Sequence, residues 1–299
     1  MSQKIFLTGG TGLVGRALTD AFSLNNFEVL ATYRTRKTSA RNITWIKADL
    51  IDRNIDLHSY LKDVDVIIHN AASVKEGKTQ TELDELKSVN IEFTERLLKA
   101  ASSFDIKKII FTSSFSFIKK PLPKVITEDA QVDPQDAYAQ SKHIGEQLIL
   151  AHCAKYNTVY NICRISSPIS FDLDSMPYNV VKKWIIQSME KQQLKVYGKG
   201  QRRQDFVSVT DIAQAYINCI KKSEMSGIFN IASGNTMSMF ELAQHITSHF
   251  KTDFECIGED QNEDDKWNIS IDKATNYLNY NPQFTSEAAI TALLNNISI

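Results

Sequence analysis

Several features are absent from this 299-residue sequence, and each absence excludes a class of protein. The 4 cysteines are scattered, with no Cys-x-x-Cys pair and no neighbouring histidine, so the pattern predicts free thiols in a reducing compartment rather than a metal site. Lys and Arg number 34 against 35 Asp and Glu, and a net charge of -1 gives no general attraction to nucleic acid or anionic membrane. No apolar run approaches the ~20 residues that span a bilayer.

The first apolar run begins at Lys4, which leaves no room for a signal peptide. We therefore expect a cytoplasmic protein. Hydrophobic residues make up 42% of the chain and charged residues 23%, as is ordinary for a globular protein. The length allows one large domain or two closely packed ones.

Apolar, β-rich runs alternate with amphipathic stretches through the first half of the chain. The predicted strands are 4–8, 28–33, 43–47, 65–69, 108–113 and 159–164, and the clearest predicted helices are 81–104 and 137–155. This alternation predicts an α/β fold, a doubly wound parallel (Rossmann) sheet with helices on both faces. The second half is less regular, and its acidic stretch 253–265 is more typical of a solvated loop than of a cation site.

A glycine-rich turn, Thr8 to Gly15, lies between the first predicted strand and the helix that comes next. Glycines in this setting allow a tight turn and a close approach of backbone to the pyrophosphate of a dinucleotide. The N-terminus of the helix then offers free N–H groups to the anion. We expect residues 1–165 to form a dinucleotide-binding domain, to which 205–222 return. Residues 166–204 and 223–299 are expected to form a smaller mixed substrate-binding region.

Tyr138 and Lys142 open a strongly helical stretch and project from the same face, because four residues make about one helical turn. A phenol titrates near ~10, and a neighbouring ammonium lowers that pKa toward the working range of an acid–base catalyst. Upstream, Ile109 to Ser114 reads as a buried strand that ends in hydroxyls, where open parallel sheets bind ligands.

The glycine turn, the strand-end serine and Tyr-x-x-x-Lys, in this order, resemble the short-chain dehydrogenase/reductase family. The resemblance is to its extended branch, the NAD-dependent epimerase/dehydratase group that works on nucleotide sugars. Further motifs match the same group, at residues 69–72, 90–94, 164–168, 204–211 and 230–234. The resemblance implies that Tyr138 is the general acid/base, that Lys142 lowers its pKa and holds the nicotinamide ribose, and that Ser114 binds the carbonyl, with Ser113 as the alternative.

The resemblance also implies the other site residues. The cofactor-binding residues are Gly9, Thr11, Gly12, Leu13, Val14, Gly15, Arg34, Asp49, Leu50, Ala71, Ala72, Tyr138, Lys142 and Ser167. The substrate-binding residues are Ser116 at the sugar and Arg202 and Arg203 at the diphosphate, because Gln204 stands where the family usually has arginine. Hydride passes directly between nicotinamide and sugar, so no metal is expected. Related enzymes pair their helices as homodimers, and the stretches 81–104 and 137–155 are the candidates.

The cofactor prediction depends on the end of the second strand. An NAD site usually has Asp or Glu there, whereas this chain has Tyr33 and then Arg34, with Arg36, Lys37 and Arg41 close by. Guanidinium groups pair well with a 2'-phosphate. The sequence therefore favours NADP(H), with NAD(H) as the alternative.

The two residues after Ser114 narrow the reaction. Dehydratases of the family carry an Asp-Glu pair there, whereas this chain has Phe115-Ser116, which cannot eliminate water. The remaining chemistry is oxidation or reduction at one carbon, most simply C4 of a nucleotide sugar. A 4-ketoreductase is favoured because of Arg34, and a 4-epimerase is the alternative. A reductase of non-sugar ketones and a redox sensor without catalysis are the other hypotheses.

Overall fold

The computed structural model describes residues 3–297, which form ten α-helices and twelve strands. The strands are β1 (Lys4–Thr8), β2 (Glu28–Tyr33), β3 (Ile43–Lys47), β4 (Val66–His69), β5 (Lys108–Ser114), β6 (Val159–Ile165), β7 (Ser167–Ile169), β8 (Leu194–Tyr197), β9 (Arg203–Ser208), β10 (Gly227–Ile231), β11 (Thr236–Ser238) and β12 (Phe254–Ile257). The helices are α1 (Leu13–Leu24), α2 (Leu57–Leu61), α3 (Gln80–Leu86), α4 (Phe93–Ala101), α5 (Ala137–Tyr156), α6 (Val180–Met189), α7 (Val209–Lys221), α8 (Met239–Phe250), α9 (Asp272–Leu278) and α10 (Ser286–Asn295).

The central sheet has seven parallel strands in the order β10-β6-β5-β4-β1-β2-β3. The strand order reverses between β1 and β4, which is the switch point where open α/β sheets bind ligands. Buried apolar residues cover both faces: α1 and α7 pack on one face, while α4 and α5 pack on the other. The predicted doubly wound α/β fold is confirmed.

The predicted helix 81–104 is divided. Helix α3 continues through a π-helical segment, Lys87–Glu92, into α4. The extra residue of a π-turn rotates the side chains beyond it, and such turns are frequent at functional sites. Here the segment carries Asn90, whose buried side chain contacts Ser73, beyond β4, and Ser141 on α5.

The second half of the chain supplies two small sheets, β11-β9-β7 and β12-β8. These sheets pack with α6, α8 and α10 around a separate apolar cluster. The predicted division of the chain differs from this arrangement in one respect. Strand β10, within 223–299, hydrogen-bonds to β6 in the central sheet, and α9 packs on the same core, because their apolar residues complete its edge.

Candidate active site

A cleft of about 870 Å³ opens at the carboxyl ends of the central strands, beside the switch point. The structure brings most of the sequence-predicted residues to its wall. They are Gly9, Thr11, Gly12, Leu13, Val14, Arg34, Asp49, Leu50, Ala71, Ala72, Ser114, Ser116, Tyr138, Lys142 and Ser167. Gly15, Arg202 and Arg203 do not line it. Residues at or just beyond the carboxyl ends of β1 to β6, together with residues of the small sheets, therefore converge on one site.

Gly9 and Gly15 of the glycine turn are required for two different structural reasons. Gly9 has a φ of +69°, and a Cβ there would meet Ala71 Cα at 2.8 Å. A Cβ on Gly15 would lie 2.0 Å from the Gly9 carbonyl oxygen, so this glycine is required for α1 to pack on the turn. Gly12 is different, because its Cβ would meet nothing closer than the Gly9 oxygen at 3.5 Å.

Gly12 is the N-cap of α1, and no side chain caps this helix. The first N–H groups of a helix have no intrahelical partner, and the residues that carry them here, Leu13 and Val14, line the cleft beside Gly12. A Cβ at Gly12 would make only an ordinary van der Waals contact with the Gly9 oxygen. The turn could therefore hold a ligand anion, such as the pyrophosphate of a dinucleotide.

The end of β2 forms another wall of the cleft. Tyr33 and Arg34 line it, Arg34 is exposed, and no acidic residue stands there. The Tyr33 ring packs edge-on against Trp45 of β3, with the ring centroids 6.0 Å apart. Asp49 lines the cleft after β3, and its Oδ1 accepts a hydrogen bond from the Ile51 N–H (3.3 Å).

Helix α5 begins at the catalytic candidates because Asp136 caps it, its carboxylate accepting from the Ala139 N–H at 2.8 Å. Tyr138 is half-buried in the cleft close to Ser114, which ends β5. Burial raises the pKa of Tyr138, a hydrogen bond with the Ser114 side chain lowers it, and Asp136 raises it further. The net direction is upward.

Lys142 lies one turn beyond Tyr138, and its ammonium donates a hydrogen bond to the Thr112 carbonyl oxygen at 2.8 Å. Burial lowers the pKa of Lys142 to about 8, although the Glu146 carboxylate raises it. In this structure the net shift of the Tyr138 pKa is upward, while the Lys142 ammonium is hydrogen-bonded to β5. The lowering of the tyrosine pKa by Lys142 stays a prediction.

His69, the last residue of β4, is buried and does not line the cleft itself. The Thr8 hydroxyl oxygen accepts from the backbone N–H groups of Asn70 and Ala71, so it donates its own proton to Nδ1 of His69, 2.8 Å away. The tautomer assigned from this network has its proton on Nε2, which donates to the Thr94 hydroxyl oxygen at 2.8 Å. Burial and then the Lys142 charge lower the pKa of His69 to about 3. His69 is therefore a neutral structural link between β1, β4 and α4.

Sequence reasoning missed two carboxylates that belong to this site. Glu146 on α5 accepts from the Ser113 hydroxyl and from Arg164 on β6. Glu85 on α3 lines the cleft, and its Oε1 accepts from the Ser73 hydroxyl at 3.2 Å. Both lie on helices, where an acidic residue usually faces solvent. The only signal in the sequence was position: Glu146 comes one helical turn after Lys142, and Glu85 lies shortly before Asn90.

The structure places Arg202 and Arg203 outside the cleft that the other predicted residues line. The Arg203 guanidinium donates to Thr236 and pairs with Glu241 at 3.1 Å, outside the cleft. Arg202 lies 3.4 Å from Asp260. Gln204 lines the cleft instead, and its amide donates to the Ser167 hydroxyl at 2.8 Å. Successive side chains of a strand point to opposite faces, so placing Gln204 in the cleft turns Arg203 away from it.

The acidic stretch has a structural use. The Glu263 carboxylate accepts from the backbone N–H groups of Lys199 and Gln201, and Lys120 pairs with Asp265. The Glu263 bonds fasten the turn after β8, and the Lys120 pair joins the acidic stretch to the segment that follows β5. Within residues 3–297 no group of three or more His, Cys, Asp or Glu is arranged to hold a metal ion. In the same part of the chain, every helix is too short or too polar to cross a bilayer.

Comparison with known proteins gives consistent matches. The family model described as "NAD dependent epimerase/dehydratase family" matches residues 5–232. The chain is 23% identical over 263 residues to dTDP-D-glucose 4,6-dehydratase from Homo sapiens, covering 84% of this chain and 75% of that protein. It is 24% identical over 273 residues to UDP-glucose 4-epimerase from Bacillus subtilis, covering 81% of this chain and 80% of that protein.

A solved structure has the same fold over nearly the whole chain. UDP-glucuronic acid 4-epimerase from Bacillus cereus, in complex with UDP-glucuronic acid and NAD, superposes with a TM-score of 0.86 at 21% identity. The match covers 98% of each chain. The small sheets and their helices therefore belong to the shared fold as much as the central sheet does.

Proposed function

Because this chain belongs to the NAD dependent epimerase/dehydratase family, we propose that it is a nucleotide-sugar 4-epimerase. It is an enzyme of the extended short-chain dehydrogenase/reductase class. The observation that carries the finer proposal is the meeting of Ser114, Tyr138 and Lys142 in a cleft whose glycine turn fits a dinucleotide. Epimerases acting at C4 of UDP-sugars are prominent among the proteins that it resembles.

The residues after Ser114 favour epimerisation over dehydration. Phe115 is buried, and Ser116 lines the cleft. Neither side chain can supply the acid and base that remove water from a sugar. This distinguishes the chain from the pattern expected of its dehydratase relatives, and it leaves chemistry at a single carbon.

Each residue of the constellation has a proposed role. The Ser114 hydroxyl binds the C4 oxygen, Tyr138 removes the proton of the C4 hydroxyl and later returns it, and Lys142 binds the nicotinamide ribose. The bound dinucleotide supplies hydride acceptance and return at C4. Burial raises the pKa of Tyr138, so its phenolate needs positive charge nearby. Lys142, with a pKa of about 8, is a cation at neutral pH and can provide that charge once its bond to Thr112 is exchanged.

A 4-ketoreductase is the second candidate function. Tyr33 and Arg34 line the wall of the cleft where an NAD site usually has an acid, and Arg34 is free to meet a 2'-phosphate. A reductase consumes NADPH in each turnover, whereas an epimerase regenerates its cofactor. The preference for NADP(H) is a prediction that the comparisons leave open, since the Bacillus cereus neighbour binds NAD.

We also propose a homodimer through α4 and α5. Helix α5 packs on the central sheet through Ile149 and Cys153. Ile144, on the side of the helix away from Cys153, is exposed and is available for a contact with a second copy of the chain. The proposal follows the helix pairing that the family resemblance implies.

The test separates the two functions. The purified protein is incubated with UDP-glucose or UDP-N-acetylglucosamine in the presence of NAD+ or NADP+, and separately with nucleotide 4-keto-6-deoxysugars in the presence of NADH or NADPH. The products are separated by chromatography. Epimerisation of a hexose without net change in the cofactor supports the proposal. Loss of NADPH with a 4-keto sugar and no epimerisation supports the reductase. If neither occurs, the proposed function is overturned.

A further inference from the structure

Glu85 is a carboxylate that lines the cleft and forms no ion pair among the described residues. It is half-buried on α3 and lines the cleft, and its hydrogen bond with the Ser73 hydroxyl is 3.2 Å long. Within residues 3–297, no Lys, Arg or His nitrogen lies within 4.0 Å of it. A partly buried charge without a partner is unfavourable unless the site uses it.

A hydrogen-bond network fixes Glu85 relative to the catalytic helix. The Ser73 N–H donates to Asn90 Oδ1 at 2.7 Å, and Asn90 Nδ2 donates to the Ser73 carbonyl at 2.9 Å. The same Asn90 amide donates to the Ser141 hydroxyl at 2.8 Å. Ser141 lies on α5 between Tyr138 and Lys142. Glu85 is therefore held on the side of the cleft where the proposed chemistry takes place.

The other charged groups on this side do not offset Glu85. Arg203 is held outside the cleft by Thr236 and Glu241, and Gln204 takes the place in the wall. Asp174 lines the cleft as a second acidic residue, and Lys75 is an exposed cation at its rim. Apart from Lys142, which we place at the nicotinamide ribose, the sugar side of the cleft is net acidic.

We infer that Glu85 selects sugars without a carboxylate, by accepting hydrogen bonds from sugar hydroxyl groups and repelling a uronic acid. The inference rests on the proposed function, because it names the substrate class of the same site. Among nucleotide hexoses, neutral ones such as UDP-glucose fit this side of the cleft, and UDP-glucuronic acid is disfavoured. This differs from the Bacillus cereus neighbour, which was crystallised with UDP-glucuronic acid.

The test measures binding, so it does not depend on turnover. Dissociation constants of UDP-glucose and UDP-glucuronic acid are measured by calorimetry for the wild type, Glu85→Gln and Asp84→Asn, all saturated with NAD. Asp84 lies on the same helix, is exposed, and accepts a hydrogen bond from Gln80 outside the cleft. Its substitution removes the same charge without changing the site. Glutamine keeps an acceptor for Ser73, so Glu85→Gln preserves the local fold.

We expect the wild type to bind UDP-glucose about tenfold more tightly than UDP-glucuronic acid, and Glu85→Gln to remove most of this preference. Asp84→Asn should retain it. The inference is overturned if the wild type binds both sugars equally or prefers the uronic acid. It is also overturned if Glu85→Gln changes the preference no more than Asp84→Asn does. These results are separate from the proposed function, which fails when no nucleotide hexose is epimerised even though it binds.

Discussion

The Glu146 carboxylate and the Arg164 guanidinium form a buried two-point ion pair, with Arg164 Nε 2.9 Å from Oε1 and Nη2 2.8 Å from Oε2. Glu146 lies one turn beyond Lys142 on α5, and Ser113 on β5 donates to the same carboxylate. The Arg164 guanidinium also lies over the Phe117 ring, 5.1 Å from its centroid. The pair thus fixes α5 against β6, and the Ser113 hydroxyl fixes the same carboxylate against β5, the strand that ends in Ser114.

Arg164→Met leaves the Glu146 carboxylate buried without its partner. We expect the free energy of unfolding to fall by about 3–5 kcal/mol, measured by urea denaturation. The control is Arg53→Met, which breaks the exposed pair of Arg53 with Glu92 and should change stability by less than about 1 kcal/mol. Equal, small losses in both variants would show that the buried pair does not hold α5.

The buried ammonium of Lys142, which the proposed function needs, lowers the stability of the folded protein at neutral pH. Its pKa is about 8 in the folded protein against an ordinary value of 10.5, so the unfolded chain binds more protons between these pH values. The wild type therefore gains stability through this group as pH rises from about 8 to 10.5. At lower pH the buried ammonium is unfavourable by an amount on the order of 3 kcal/mol.

Lys142→Met should accordingly be more stable than the wild type at pH 7, and the difference should shrink above pH 8. Denaturant unfolding of both proteins across this pH range measures the stability difference. Because the other titrating groups are the same in both proteins, their contributions cancel in that difference. Lys155→Met, at the exposed end of α5, is the matched control and should show no such dependence. A lower stability of Lys142→Met at pH 7 would contradict the expected direction.

The two glycines at the start of α1 should respond differently to alanine. Gly15→Ala places a Cβ 2.0 Å from the Gly9 carbonyl oxygen, and we expect a loss of about 1–3 kcal/mol or more. Gly12→Ala meets only the Gly9 oxygen at 3.5 Å, so the fold should be unchanged while dinucleotide binding weakens by about tenfold. Thermal unfolding and cofactor titration separate the effects. Unchanged cofactor affinity in Gly12→Ala would show that the turn does not cradle the pyrophosphate.

Arg34→Ala tests the preference for NADP. Loss of a guanidinium–phosphate pair should weaken NADP binding by roughly tenfold and leave NAD binding within a factor of about two. Arg36→Ala is the control, because Arg36 is also exposed but does not line the cleft. If the wild type binds NAD at least as tightly and Arg34→Ala alters neither affinity, the cofactor is NAD.

The central sheet could be predicted because strands of a parallel sheet are buried on both faces and read as continuous apolar runs. The predicted bounds of β1, β2 and β3 agree with the structure residue for residue. Strand β10 was not assigned to this sheet, since its five residues come after an irregular segment and nothing local indicates pairing with β6. Sequence order alone does not show which sheet an isolated short strand joins.

Motif residues of the site could be placed from the sequence, whereas side-chain directions could not. The family resemblance implied that Arg203 meets the substrate diphosphate, but the alternation of β9 directs Gln204 into the cleft. Glu85 lies on α3 and Asn90 in the π-helical segment that continues it. If the whole stretch is treated as an ideal α-helix, the direction of the Asn90 side chain relative to that of Glu85 is therefore wrong.

The central claim is that Tyr138 transfers the proton at C4 of a nucleotide hexose. The measurement is the rate at which UDP-glucose and its 4-epimer interconvert, followed by NMR, for wild type, Tyr138→Phe and Tyr156→Phe. Tyr156 is the exposed tyrosine at the far end of the same helix. We predict that Tyr156→Phe retains the wild-type rate. The interconversion rate of Tyr138→Phe should fall by at least about 100-fold, while this variant still binds the dinucleotide. Full activity of Tyr138→Phe would contradict the proposed mechanism.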